Sequence, residues 1–220
     1  MSLPDDPVST KQAAASLLQG MTAHYLACDT FPLEAGQTCL VHAAAGGVGL
    51  LLCQIAHERG ARVIGTVSTD AKAKAAREAG ADEIILYTQV GFEEEVKRLM
   101  GGAGLDVVYD SVGQTTFLKG FNCLRARGMM VLYGMSSGQP DPVDTGMLSQ
   151  KGSLFLTRTT LASYTLTREE LLARSGEVFN WVGSGKLKVR IHAEFALKDV
   201  AKAQAALEHR ETIGKVLLIP

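Results

Sequence analysis

Six short apolar runs, rich in β-branched residues and separated mostly by helical stretches, leave this chain few folds to adopt. Thr38–His42, Arg62–Ser68, Glu83–Tyr87, Leu105–Asp110, Met129–Gly134 and Leu154–Arg158 read as strands. Gly47–Arg59, Asp70–Ala79, Phe92–Met100 and Thr115–Ala126 read as helices, and Gly60, Gly80 and Gly101-Gly102 stop the first three. Glycine ends a helix because it enters the left-handed region without a Cβ clash. The strands are continuously apolar rather than alternating, so both faces must be covered, and the intervening helices supply the cover. The expected fold is α/β: a doubly wound parallel sheet with helices on both faces.

The flanks are less regular. Ser9–Cys28 reads as a helix capped by Ser9 or Thr10 and interrupted by Gly20, and Pro32–Gly36 as a turn. Gly138, Pro140, Pro142 and Gly146 make 136–152 a loop. Thr167–Ser184 is a helix, Glu194–Glu208 a strand and short helix, and Ile213–Ile219 a last strand. This divides the chain into an entry segment (1–32), a sheet domain (33–192) and a C-terminal segment (193–220).

Composition excludes several classes of function. With 220 residues, 46% hydrophobic, 20% charged and a net charge of −1, the chain offers a core but no basic face for nucleic acid. No apolar window is long enough to span a bilayer, and Met1–Asp6 lacks the pattern of a secretory leader. Cys28, Cys39, Cys53 and Cys123 are scattered without a C-x-x-C pair. We expect no metal, a reducing compartment and a cytoplasmic location.

The chemistry concentrates at Ala43-Ala44-Ala45-Gly46-Gly47-Val48-Gly49, between the first strand and the first sheet helix. The spacing is A-x-G-x-x-G, with Ala44 in the place of the usual first glycine. Such a turn admits a dinucleotide: Gly46 lets backbone approach the pyrophosphate, and Gly49 lets helix and strand pack closely. Free N–H groups and the positive end of the helix dipole then face the phosphates. At the end of the second strand an NAD-binding chain places Asp or Glu on the ribose. Here Ser68 and Thr69 stand there instead, followed by Asp70 and then Lys72. Hydroxyls and an ammonium suit a 2′-phosphate, and Asp70 reads as a helix cap or first-turn acid. NADPH is therefore favoured over NADH.

These residues, with Gly65-Thr66-Val67-Ser68, Val108-Tyr109-Asp110-Ser111-Val112-Gly113, Gly20–Tyr25, Thr157–Leu161, Ser184–Leu187 and Thr212–Leu217, resemble the zinc-independent NADPH:quinone oxidoreductases. These form the zeta-crystallin-like branch of the medium-chain dehydrogenase/reductase superfamily, and the resemblance spans nearly the whole chain after residue 10. It implies a Rossmann domain that transfers hydride from NADPH to a quinone or similar electron-poor acceptor. It further implies that Tyr25 lies near the nicotinamide and that Ala45, Gly46, Gly47 and Val48 meet the pyrophosphate. Ser68, Thr69, Lys72 and Tyr87 would hold the 2′-phosphate, and Val112 and Gly113 would pass beneath the ribose. Gly134, Ser136, Ser137 and Gly138, with Thr159, Thr160 and Leu161, would line the nicotinamide. Met135 departs from the polar side chain expected there. Family members begin with a partly open β-barrel that forms the other cleft wall. The resemblance therefore implies that this stretch binds nucleotide but turns over poorly alone, its segment 193–220 packing on that barrel. It also implies a homodimer, in keeping with Leu154–Arg158 as an apolar sheet edge.

No side chain reads as a dedicated acid, base or nucleophile, since hydride transfer relies on orientation and the cofactor. His42 and Cys53 read as core residues. A short-chain dehydrogenase would need Tyr followed four residues later by Lys, and no tyrosine here meets that requirement. Enoyl reduction, a fragment of a zinc alcohol dehydrogenase and a non-catalytic NADPH-binding module remain as alternatives.

Overall fold

All six expected strands form, and they form one parallel sheet. The computed structural model describes residues 8–220, so the reading of Met1–Asp6 lies outside the described residues. The strands are β1 (Thr38–Val41), β2 (Arg62–Val67), β3 (Glu83–Leu86), β4 (Leu105–Asp110), β5 (Leu124–Leu132) and β6 (Phe155–Arg158). Their order is β3-β2-β1-β4-β5-β6. Val41 pairs with Gly65 on one side and Tyr109 on the other, so the chain changes direction across the sheet between β1 and β4. Ligands of such sheets settle in the crevice outside that switch point.

Successive strand residues divide between two cores, which is why the strands carry no polar alternation. Cys39, Val41, Val63, Val67, Val107, Tyr109 and Val131 enter one cluster, and Leu40, Ile64, Leu105, Val108, Met130 and Leu132 the other. The first face is covered by α1 (Thr10–Tyr25), α2 (Gly47–Glu58), α3 (Asp70–Glu78) and α7 (Arg168–Gly183). The second is covered by α4 (Phe92–Leu99), α5 (Phe117–Gly120) and α6 (Thr145–Gln150). A separate parallel pair, β7 (Ile191–Ala196) and β8 (Lys215–Ile219), is bridged by α8 (Val200–Glu208).

Three local expectations change. Gly20 does not interrupt α1, which runs through it and continues as a π-helical turn, Leu26–Thr30. The glycine serves contact between helices: a Cβ there would lie 2.6 Å from Val178 Cγ1 on α7. The helix expected over Thr115–Ala126 is one turn, α5, followed by a 3-10 turn, because β5 begins at Leu124. Arg125 Nε donates to Asp106 Oδ1 at 2.7 Å and draws that stretch onto β4. The loop at 136–152 contains α6, whose start is capped by Asp144 accepting from Gly146 N at 2.9 Å.

Candidate functional site

The glycine turn owes its shape to one strained residue and two close approaches. Ala43 takes a left-handed φ of 52°, turning the chain back at the end of β1. Gly46 N then donates to Ala43 O at 2.8 Å. A Cβ on Gly49 would lie 2.3 Å from Ala43 O and 2.9 Å from Ala44 Cα, so glycine there is a backbone packing requirement, as the sequence suggested. Gly46 is the N-cap of α2 and lends it no side chain, so the first-turn N–H groups face outward without internal acceptors. Gly47 has a neighbour the sequence did not announce: the amide of Gln19, from α1, fills the place of its missing side chain.

The turn is also held from the far end of the chain. Gly214 N donates to Ala45 O at 3.0 Å, and Gly46 and Gly214 form an isolated parallel bridge. Thus 193–220 is tied to the glycine turn. No local motif signals this contact, which joins sequence-distant backbone.

After β2, Thr69 caps α3 by accepting from Lys72 N at 3.3 Å, which leaves Asp70 as the first helical residue and not the cap. Lys72 Nζ lies 3.3 Å from Ser68 Oγ and 2.5 Å from the carbonyl oxygen of Arg210. Ser68 and Lys72 are therefore brought together as expected, with Arg210 beside them as a residue that sequence reading missed. Tyr87 follows β3, 42% exposed, its N–H donating to Val67 O at 3.1 Å. Its backbone thus lies beside the end of β2.

The loops after β4 and β5 are stitched together. Buried Asp110 accepts through Oδ1 from Val112 N at 2.6 Å and Gly113 N at 3.0 Å, and through Oδ2 from Thr116 Oγ1 at 2.8 Å. The N–H groups of Val112 and Gly113 are therefore engaged within the chain. Ser137 donates to Val112 O through both N and Oγ, each at 2.8 Å, and Ser136 N donates to Ser111 O at 3.1 Å. Gly134 and Gly138 sit in this seam: Cβ atoms there would lie 2.8 Å from Ser111 O and 2.9 Å from Gln114 Oε1. Met135 is 44% exposed on the same seam.

Thr159, Thr160 and Leu161 follow β6. Thr159 is buried, and its Oγ1 lies 3.1 Å from Tyr25 Oη. Burial pushes the Tyr25 phenol above its ordinary value, so it remains a neutral hydroxyl. Its ring stacks on Tyr164 at 4.2 Å. Behind that stack, Arg174 Nη1 lies 2.7 Å from Asp29 Oδ2 and 2.6 Å from His24 Nδ1, while His24 Nε2 faces Glu177 Oε2 at 2.8 Å. A guanidinium only donates, so His24 Nδ1 accepts and its proton sits on Nε2.

All the expected residues thus line the carboxyl ends of the parallel strands, except Tyr25, which enters from α1 and joins Thr159. The hollow between α2, α3 and the turn at 185–188, about 460 Å³ and lined in part by His57, Arg77 and Lys188, lies away from them. His42 is buried at the end of β1. Its Nδ1 meets Thr66 Oγ1 at 2.9 Å, while its Nε2 has no partner. Desolvation holds its pKa below the usual imidazole value, so it is a neutral core residue, though only half satisfied. Among the described residues no three His, Cys, Asp or Glu side chains converge to hold a metal ion.

Residues 47–175 match a family described as zinc-binding dehydrogenases. The described residues hold no donor set for that metal. Quinone oxidoreductase 1 of Escherichia coli is 46% identical over 215 residues, 97% of this chain and 66% of that protein. The quinone oxidoreductase of Pseudomonas aeruginosa is 44% identical over 218 residues, 99% of this chain and 67% of that protein. A 2-haloacrylate reductase of a Burkholderia species is 42% identical, and this chain covers 62% of it. The crystal structure of the E. coli quinone oxidoreductase complexed with NADPH superposes with a TM-score of 0.94 at 46% identity, over 97% of this chain and 66% of that one. The chain thus spans about 66% of the length of the first curated relatives it matches. With the nucleotide turn, the strand order and these relatives in agreement, the chain belongs to the quinone oxidoreductase family of the medium-chain dehydrogenases/reductases.

Proposed function

We propose that this chain binds NADPH along the carboxyl edge of its sheet and serves hydride transfer to a quinone or a similar electron-poor acceptor. The observation that carries this reading is the end of β2, where Lys72 Nζ stands 3.3 Å from Ser68 Oγ. An ammonium and a hydroxyl favour an additional phosphate dianion there. The first turn of α2 takes the diphosphate on backbone N–H groups. The loops after β4, β5 and β6, with Tyr25, orient the nicotinamide ring and keep water from one of its faces. Bound NADPH supplies the hydride, and solvent supplies the proton that completes the hydroquinone.

Calorimetric titration tests the cofactor. NADPH should bind more tightly than NADH, and Lys72→Ala should weaken NADPH by about tenfold or more while leaving NADH nearly unchanged. Equal or tighter binding of NADH to the unaltered chain sinks the assignment.

A second acceptor class has one observation in its favour, the 42% identity to a 2-haloacrylate reductase. An activated alkene would take the same hydride. Parallel turnover assays with quinones and with 2-haloacrylates or enoyl thioesters discriminate between them. The same reading keeps the division at residues 32 and 192, with 193–220 as the segment that meets a catalytic domain. It puts the protein in the cytoplasm, in keeping with its four unpaired cysteines. It also makes the chain a homodimer across β6, where Phe155 is 55% and Leu156 37% exposed on an unpaired edge. Light scattering at micromolar concentration that returns a monomer mass removes the dimer.

A further inference from the structure

The turn proposed to hold the diphosphate carries no side-chain donor of its own. From Ala43 to Gly49 it contains only alanine, glycine and valine. One polar side chain is nevertheless set upon it from another helix. A Cβ built at Gly47 would lie 2.2 Å from both Nε2 and Oε1 of Gln19 and 2.3 Å from its Cδ, so the whole carboxamide spans the point where a side chain would project from the first residue of α2. A side chain at 47 would therefore have to displace the Gln19 carboxamide from the mouth of α2.

The helix that carries the amide is held in place. Gly20, the next residue on α1, is pressed against buried Val178, and His24 is clamped between Arg174 and Glu177. A side chain there whose task was to cap α2 would accept from its free N–H groups. The Gln19 carboxamide forms no such hydrogen bond, nor any other among the described residues, although it sits at the mouth of the helix. A carboxamide suits two situations in turn. Its oxygen is tolerated by the positive helix end, and its NH₂ faces an anion after a half-turn of the terminal torsion.

Building on the NADPH reading above, we propose that Gln19 is the side-chain ligand of the nucleotide diphosphate, donating through Nε2 to a phosphate oxygen that the first turn of α2 also holds. It makes the site recognise a diphosphate bridge and not only a phosphorylated adenosine. Gln19→Met keeps the length and much of the packing but removes the donor. Gln19→Glu replaces it with a like charge, and Gln19→Lys restores a donor with a positive charge.

The test compares NADPH with adenosine 2′-monophosphate, which carries the base, ribose and 2′-phosphate but no diphosphate. We expect NADPH to bind about tenfold more weakly to Gln19→Met, more weakly still to Gln19→Glu, and at least as tightly as the unaltered chain to Gln19→Lys, with a steeper salt dependence. Adenosine 2′-monophosphate should bind equally to all four chains. If NADPH binds Gln19→Met as well as the unaltered chain, or if both ligands weaken together, the role assigned to Gln19 is wrong. An unaltered chain that binds neither ligand overturns the cofactor reading itself, and with it this inference.

Discussion

Ala43 and Gly49 show how closely single residues set the nucleotide turn. Ala43 pays a left-handed backbone angle so that its carbonyl can face α2, and Gly49 must then lack a side chain to let that carbonyl in. Gly49→Ala should cost about 3 kcal/mol, because each atom it would meet is backbone and cannot rotate away. Gly36→Ala meets only open space at φ +86° and should cost about 1–2 kcal/mol, for the backbone angle alone. Urea denaturation of the two variants measures the difference, and equal losses would contradict this account. The role of Gly49 was legible because strand, turn and helix are contiguous in sequence. The tie between Gly47 and Gln19 was not, since it depends on how two helices are laid together.

Arg174 on α7 does at the scale of elements what those glycines do locally. Its side chain is only 12% exposed. It holds Asp29 in the π-helical turn and His24 on α1, and its Nε reaches Tyr164 O at 3.3 Å. Tyr109 on β4 adds a phenol 3.3 Å from the carbonyls of Leu26 and Phe31, the first of which also accepts from Phe31 N at 3.2 Å to close the π turn. Arg174→Gln should destabilise the fold by about 1–2 kcal/mol, since it leaves the buried His24 acceptor without its donor, while the half-exposed Asp29 carboxylate turns to water. It should also raise hydrogen exchange at 26–31 more than in β1. A loss below about 0.5 kcal/mol would make the cluster ornamental. The sequence showed both helices but neither the π turn nor the clamp. Its periodicity reports which face of a helix is apolar, whereas the cross-links join polar residues far apart in the chain. The misjudged helix at Thr115–Ala126 has a similar origin. Arg125 reads as a good helix former until Asp106 on β4 offers it a partner.

For the molecule as a whole, burial of weak acids sets the alkaline limit of stability. Cys53 and Cys123 are each pushed up to about 12 by desolvation, and Cys39, Tyr109 and Tyr133 are raised for the same reason. Below about pH 7.5 these groups are neutral in both folded and unfolded chains, and their contribution is fully present. As pH rises through the unfolded thiol value of about 8.5 toward 12 the unfolded chain releases protons that the fold retains, so stability falls by up to about 1.4 kcal/mol per pH unit for each titrating thiol. Lys215, lowered by partial burial, acts in the opposite sense, as a single half-exposed group. Melting temperature should therefore decline steadily above pH 9, and Cys53→Ala should make that decline shallower even though it starts lower. A flat profile from pH 8 to 11 would contradict this.

The hydrogen bond from Gly214 to Ala45 gives the molecule a drawstring. The tail is fastened to the carbonyl of the residue before the cap of α2, so traction on Pro220 arrives at the glycine turn rather than dissipating at a loose end. Trimming the chain after Arg210 would slacken that turn as well as shorten the protein. A fusion joined at the C-terminus without a flexible spacer would tug on the same knot.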